Sequence, residues 1–171
     1  ESISITISTD GQPPGERTWS NARGWPRCGT FHQGRLFAAG TKSRPSTVWA
    51  TRAGDLFDFN NLRTTDDYGL EATADTDQVA SIFAINAGRH LQFFASSAEF
   101  YVPSSDTEPI TPRTFSLRRS TQRGCLAGLP VFDVDGAAMF IQRGGKTLRE
   151  FIFTDTELAY QSNNISLLSS H

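Results

Sequence analysis

The chain has 171 residues, enough for one ordinary domain, and 37% of them are hydrophobic, with 13 Phe and 3 Trp to build a core. Its 16 basic and 18 acidic residues leave a formal net charge of -2, which argues against a strongly basic nucleic-acid binder while allowing a local basic patch. No apolar run approaches ~18 residues, so no membrane-spanning helix is expected, and the first ten residues lack the basic and apolar regions of a signal peptide.

Ile3, Ile5 and Ile7 alternate with Ser and Thr, the period-2 pattern of a strand with one buried face. Asp10-Gly11 turns the chain, and Gln12 to Arg23, with Pro13-Pro14-Gly15, reads as a loop. Trp19 and Trp25 are expected to pin its end to the body of the protein. His32-Gln33-Gly34 is a turn. Leu36 to Ala39 is a short apolar strand ended by Gly40, and Thr47-Val48-Trp49 is its β-branched and aromatic partner across Arg44-Pro45-Ser46. Trp25, Trp49, Arg27 and Arg35 are the expected structural anchors.

Arg52 to Asp55 is another turn, followed by Leu56, Phe57 and Phe59 and then by a polar, acidic region. Val79, Ile82, Phe83 and Ile85 form an apolar stretch, either a strand or a short helical turn. Leu91, Phe93 and Phe94 make a strand, Ser96-Ser97-Ala98 a turn, and Phe100-Tyr101-Val102 the next strand. Pro103 to Pro112 is a loop. Phe115 and Leu117 alternate with Thr114 and Ser116, again with period 2. Ser120 to Leu129 has little pattern. Asp135-Gly136 is a two-residue hairpin signal. Ala138 to Ile141 is a strand, Gly144-Gly145 turns it, and Leu148 with Phe151 to Phe153 supplies its partner.

Apolar hairpins therefore begin near Leu36, Leu91 and Ala138, about 50 residues apart, the spacing of β-propeller blades. The fold expected is all-β, part of a β-propeller with about three blade-like antiparallel hairpins and little helix, over 1–171 as one propeller-type domain. Three blades do not close a ring, since propellers have ~4–8. Either the chain is part of a longer polypeptide, or partners complete it, or the fold is a sandwich. The only Met is Met139, so the chain opens at Glu1 without an initiator, which favours the first.

Gly24-Trp25-Pro26-Arg27, Phe31, Gln33, Arg35-Leu36, Ala39-Gly40-Thr41, Pro45, Val48-Trp49 and Gly54-Asp55 together resemble a motif of known proteins. So do Ile110-Thr111-Pro112, Ser120 to Gly124, Pro130-Val131, Phe140 to Gly144, Leu148-Arg149-Glu150, Tyr160 and the ending Leu167 to His171. In that order they are similar to the tail tubular, or nozzle, proteins (the tail tubular protein B type) of short-tailed bacteriophages. The resemblance runs from about Trp19 to His171, and family members are usually several times longer. It implies a structural virion protein in the tail, carrying a β-propeller. Its partners would be a homo-oligomeric ring, other tail proteins such as adaptor and fibres, and genomic DNA passing through without specific binding. The alternative is a carbohydrate- or host-receptor-binding β-module using Tyr101 or Tyr160 beside the acidic loop.

No catalytic, cofactor or metal site is expected. Asp66, Asp67, Asp75 and Asp77 are oxygen-rich but do not have EF-hand spacing. Asp133 and Asp135 have strand spacing, and Asp135 is better explained by its turn. His32, His90 and His171 lack a positioned nucleophile, and the sequence has no GxSxG, P-loop, GxGxxG or HExxH. Cys28 and Cys125 have no CxxC spacing and read as small buried or half-buried thiols, with a disulfide as the alternative. Arg118, Arg119 and Arg123, and Arg143, Lys146 and Arg149, form two basic clusters, read as solvated edges or as contacts to acidic neighbours or DNA phosphates.

Overall fold

The computed structural model describes residues 18–62, 65–74, 80–103, 109–154 and 159–166. The Ile3-Ile5-Ile7 strand, the Asp10-Gly11 turn, Val79, Asp75, Asp77 and the Leu167 to His171 ending lie outside them. The described residues form strands and no helix, in three four-stranded antiparallel sheets.

The first sheet holds β1 (Cys28–His32), β2 (Arg35–Ala39), β3 (Thr47–Ala50) and β4 (Leu70–Thr73). The second holds β5 (Ile82–Ala87), β6 (Leu91–Ala95), β7 (Glu99–Val102) and β8 (Arg118–Thr121). The third holds β9 (Phe132–Val134), β10 (Ala137–Ile141), β11 (Leu148–Thr154) and β12 (Ala159–Asn164). In each sheet the strands pair in chain order. That up-and-down, blade-like repeat is the one expected, with the three apolar hairpins as the two middle strands of each sheet.

Local chemistry sets the turns. Gln33 (φ 46°) and Gly34 (φ 70°) join β1 to β2, and Asp135 (φ 52°) and Gly136 (φ 81°) join β9 to β10. Two consecutive positive-φ residues give the two-residue turn whose twist matches the strands it joins. Gly40 marks where two sheets touch. Its φ is 72°, and a Cβ there would lie 2.4 Å from the Ile82 carbonyl oxygen.

The middle sheet is buried on both faces, as β6 shows with all five residues buried. Successive strand residues point to opposite faces. Leu91, Phe93 and Ala95 join Phe37, Val48, Ala50, Phe100 and Val102 in one core, between the first and second sheets. Phe94 joins Phe140, Phe151 and Tyr160 in the other, between the second and third. Its ring centroid lies 5.1 Å from that of Phe140 and 5.5 Å from that of Phe151.

Several expectations need correction. Phe115 and Leu117 are not in a strand. They pack against the first core from irregular chain, and the paired strand is the polar β8 that follows. The polar or mixed strands β1, β4, β8 and β12 carry little hydrophobic pattern, and each lies at an edge of its sheet. Of the four anchors, Trp49 and Arg35 are buried, whereas Trp25 and Arg27 are exposed. Arg35 Nη1 donates to the carbonyls of Thr51 and Tyr68, each at 2.7 Å, and Nη2 donates to that of Asp66. One guanidinium thus holds the β3–β4 connection against β2.

Candidate functional site

The two outer faces of the stack are the surfaces with most to offer a partner. On the third sheet, the register sets Met139 opposite both Phe132 and Glu150, Ile141 opposite Leu148, and Ala137 opposite Val134. Ile152 is opposite Gln161. These residues share the face turned away from the middle sheet, because Ala138, Phe140 and Phe151, one residue out of phase, fill the core behind them. Phe132, Val134 and Leu148 are exposed there. An apolar sheet face of this kind, with Glu150 as the one charge among its described strand residues, is unusual for a surface meeting only water.

The first sheet ends differently. Trp49 and Glu71 are cross-strand neighbours on β3 and β4. The Trp19 ring meets that of Trp49 edge-on at 5.6 Å and that of Phe59 at 4.7 Å. With Trp25 and Asn61 these side chains enclose an open cavity of about 330 Å³. Trp25 is 59% exposed, yet its indole N–H donates to Asn21 Oδ1 at 3.3 Å. The loop bearing it is tied by Gly24 N to Ser20 O at 2.7 Å and by Ser43 N to Arg23 O at 2.9 Å. Glu71 is ion-paired with Arg44. Sequence reading had Trp19 and Trp25 pinning a loop. Trp19 does so, and the cavity that the two share with Trp49 and Phe59 was missed, because it depends on residues from four separate segments.

The titratable groups are arranged for packing. The His90 ring contacts Tyr101, Phe153 and Tyr160, and its Nδ1 lies 3.1 Å from Tyr160 Oη. Burial lowers the pKa of His90 and of His32, and the nearby charge of Arg89, followed by that of His32, lowers that of His90 further. Tyr160 is buried and Tyr101 half-buried in this cluster, so they do not form an exposed aromatic pair. Asp133 accepts from Asn86 Nδ2 and, through its other oxygen, from Gly136 N, which leaves it a turn and sheet-contact role.

Cys28 and Cys125 are free thiols. Burial pushes them up to about 12 and about 11, respectively, far from the range where a thiolate is a ready nucleophile. Glu99 is fully buried, and burial raises its pKa against the opposing hydrogen bonds from Thr121 Oγ1 and Arg123 N. Among the described residues its Oε1 has no hydrogen-bond partner.

Asp67 is ion-paired with Arg52 at 2.6 Å, which holds its carboxyl below the usual range, and Arg52 also reaches Asp58 at 3.6 Å. Among the described residues no three His, Cys, Asp or Glu side chains converge as a metal site. In the basic clusters, Arg149 is committed to Gln142 Oε1 at 2.8 Å and the Ser162 carbonyl at 3.1 Å, while Arg143 and Lys146 are exposed at their turn.

The fold is that of a blade-like all-β protein. No protein-family model matches the chain, and no curated protein matches it.

Proposed function

We propose that this chain is a structural, non-enzymatic component of a bacteriophage tail, contributing blades to a nozzle that joins tail parts and conducts the genome during ejection. The observation that carries the reading is the apolar outer face of the third sheet, backed by a core and, among the described residues, without a sheet on top of it. A further sheet laid on Phe132, Met139, Ile141 and Ile152 would repeat the packing that already joins the second and third sheets. Stacking of that kind around an axis builds a propeller, which removes exposed faces by closing on itself. The sequence resemblance to tail nozzle proteins points to the same architecture.

The physical work of such a part is to be stiff and to bind neighbours. Two aromatic cores and a middle sheet buried on both faces supply the stiffness. The partners in this reading are copies forming a ring, adaptor and fibre proteins, and DNA in transit. A net charge of -2 suits passage, since each phosphate contact would add affinity and slow the genome. The chain would work within the virion tail, with no insertion into a membrane of its own.

The test is peptide mass spectrometry on purified particles, followed by immunogold labelling. Peptides from this chain in stoichiometric amount, with label at the distal tail, are the expected result. Their absence from particles of the phage that encodes it would end the proposal.

A further inference from the structure

We infer that the cavity between Trp19, Trp25, Trp49 and Phe59 is a binding site for a neutral saccharide. The inference does not rest on the nozzle reading and holds for the chain in any assembly that leaves this end of the first sheet accessible.

Shape and wall chemistry come first. The cavity, about 330 Å³, lies at the low end of the ~300–1,000 Å³ typical of small-molecule sites, room for one or two sugar rings. Its walls are aromatic, and the C–H-rich face of a pyranose stacks on indole. Trp25 is the platform for that contact. It is exposed by 59%, and its ring is held by Asn21 while its loop is held by Ser20 and Ser43. An exposed indole fixed in advance loses little side-chain entropy when a ligand covers it.

Polar groups at the rim complete the recognition. Asn61 is exposed beside the aromatic wall and offers both a donor and an acceptor for hydroxyl groups. Glu71 offers carboxylate oxygens. Aromatic walls with a carboxylate also describe a cage for an organic cation. Here Arg44 already neutralises Glu71, and its guanidinium would repel a second cation. An anionic ligand finds no basic side chain among the residues that line the cavity. A neutral, hydroxyl-rich ligand with one apolar face is the class that remains.

The test uses the full 171-residue chain, titrated with cellobiose, maltose and lactose and followed by tryptophan fluorescence. A saturable change with at least one of them is expected, with a dissociation constant on the order of 1 mM. Trp25→Ala should weaken it by at least ~10-fold, the loss of about one aromatic contact, with an unchanged far-UV circular dichroism spectrum because the side chain is exposed. Asn61→Ala should weaken it by a smaller factor. The inference is overturned if none of the three sugars gives a saturable change with folded protein. It is equally overturned if Trp25→Ala binds as tightly as the parent, or if tetramethylammonium chloride saturates the same signal.

Discussion

Replacing Arg35 with Met tests whether a single buried cation organises the β3–β4 connection. The guanidinium is 2% exposed and donates to three carbonyls, those of Thr51, Asp66 and Tyr68. All three acceptors are neutral carbonyls, and the nearby carboxylates of Asp67 and Asp66 lose an attractive cation when it is removed. The Thr51 carbonyl belongs to a fully buried residue, and orphaning a buried acceptor costs about 1–3 kcal/mol. Asp66 is exposed and Tyr68 half-buried, so their carbonyls regain water and lose only the excess strength of a charged donor. Relief from burying the cation offsets part of the loss. The net expectation is about 2–4 kcal/mol of destabilisation. In urea, with a slope near 2 kcal/mol/M, the midpoint should fall by roughly 1–2 M with the slope unchanged. Arg35→Lys should recover little, because an ammonium lacks the planar fork that reaches several carbonyls at once. A midpoint shift under roughly 0.3 M for Arg35→Met would refute the account.

Trp49→Ala should cost about 3–4 kcal/mol, the lower part of the range for a buried aromatic, since an open cavity already borders the ring and its Nε1 has no partner among the described residues; thermal or urea unfolding checks this, and an unchanged curve would remove Trp49 from the core. Glu99 has a raised folded-state pKa, so the stability it contributes is present below the ordinary carboxylate range and is lost as pH rises through its raised value. Glu99→Gln should therefore flatten that part of the stability-versus-pH curve and leave the variant more stable than the parent at neutral pH, and parallel curves for the two proteins would contradict this. Phe132→Asp with Leu148→Asp, both on the open face, should change stability by no more than ~0.5 kcal/mol while reducing binding of an apolar dye such as ANS. A loss several times larger would mean that this face is already covered.

Much of the architecture is written in short-range signals. Asp135-Gly136 and Gly34 carry the backbone freedom their turns need, and the Leu36, Leu91 and Ala138 hairpins have hydrophobic runs that only buried middle strands require. Those signals are local, so sequence alone determined an all-β chain with three blade-like repeats. The outer strands were less legible. β4 and β8 hold Glu71, Thr73, Arg118 and Arg119, whose polarity is tolerated because one edge or face meets water. Their pairing is fixed by the neighbouring strand rather than by their own pattern. Phe115 and Leu117 mislead for the converse reason, since irregular chain can also bury alternate apolar residues.

What the tertiary structure decided is which faces meet. Arg35, a charge on paper, is buried because distant carbonyls converge on it, and Trp25, an aromatic on paper, is left exposed by the described residues around it. The Trp-lined cavity joins residues from Trp19 to Glu71, and the open face of the third sheet appears only once register puts Phe132, Met139 and Leu148 on one side. Strand identity follows from each residue and its immediate neighbours. Burial and site formation depend on long-range contacts, which no window of sequence contains.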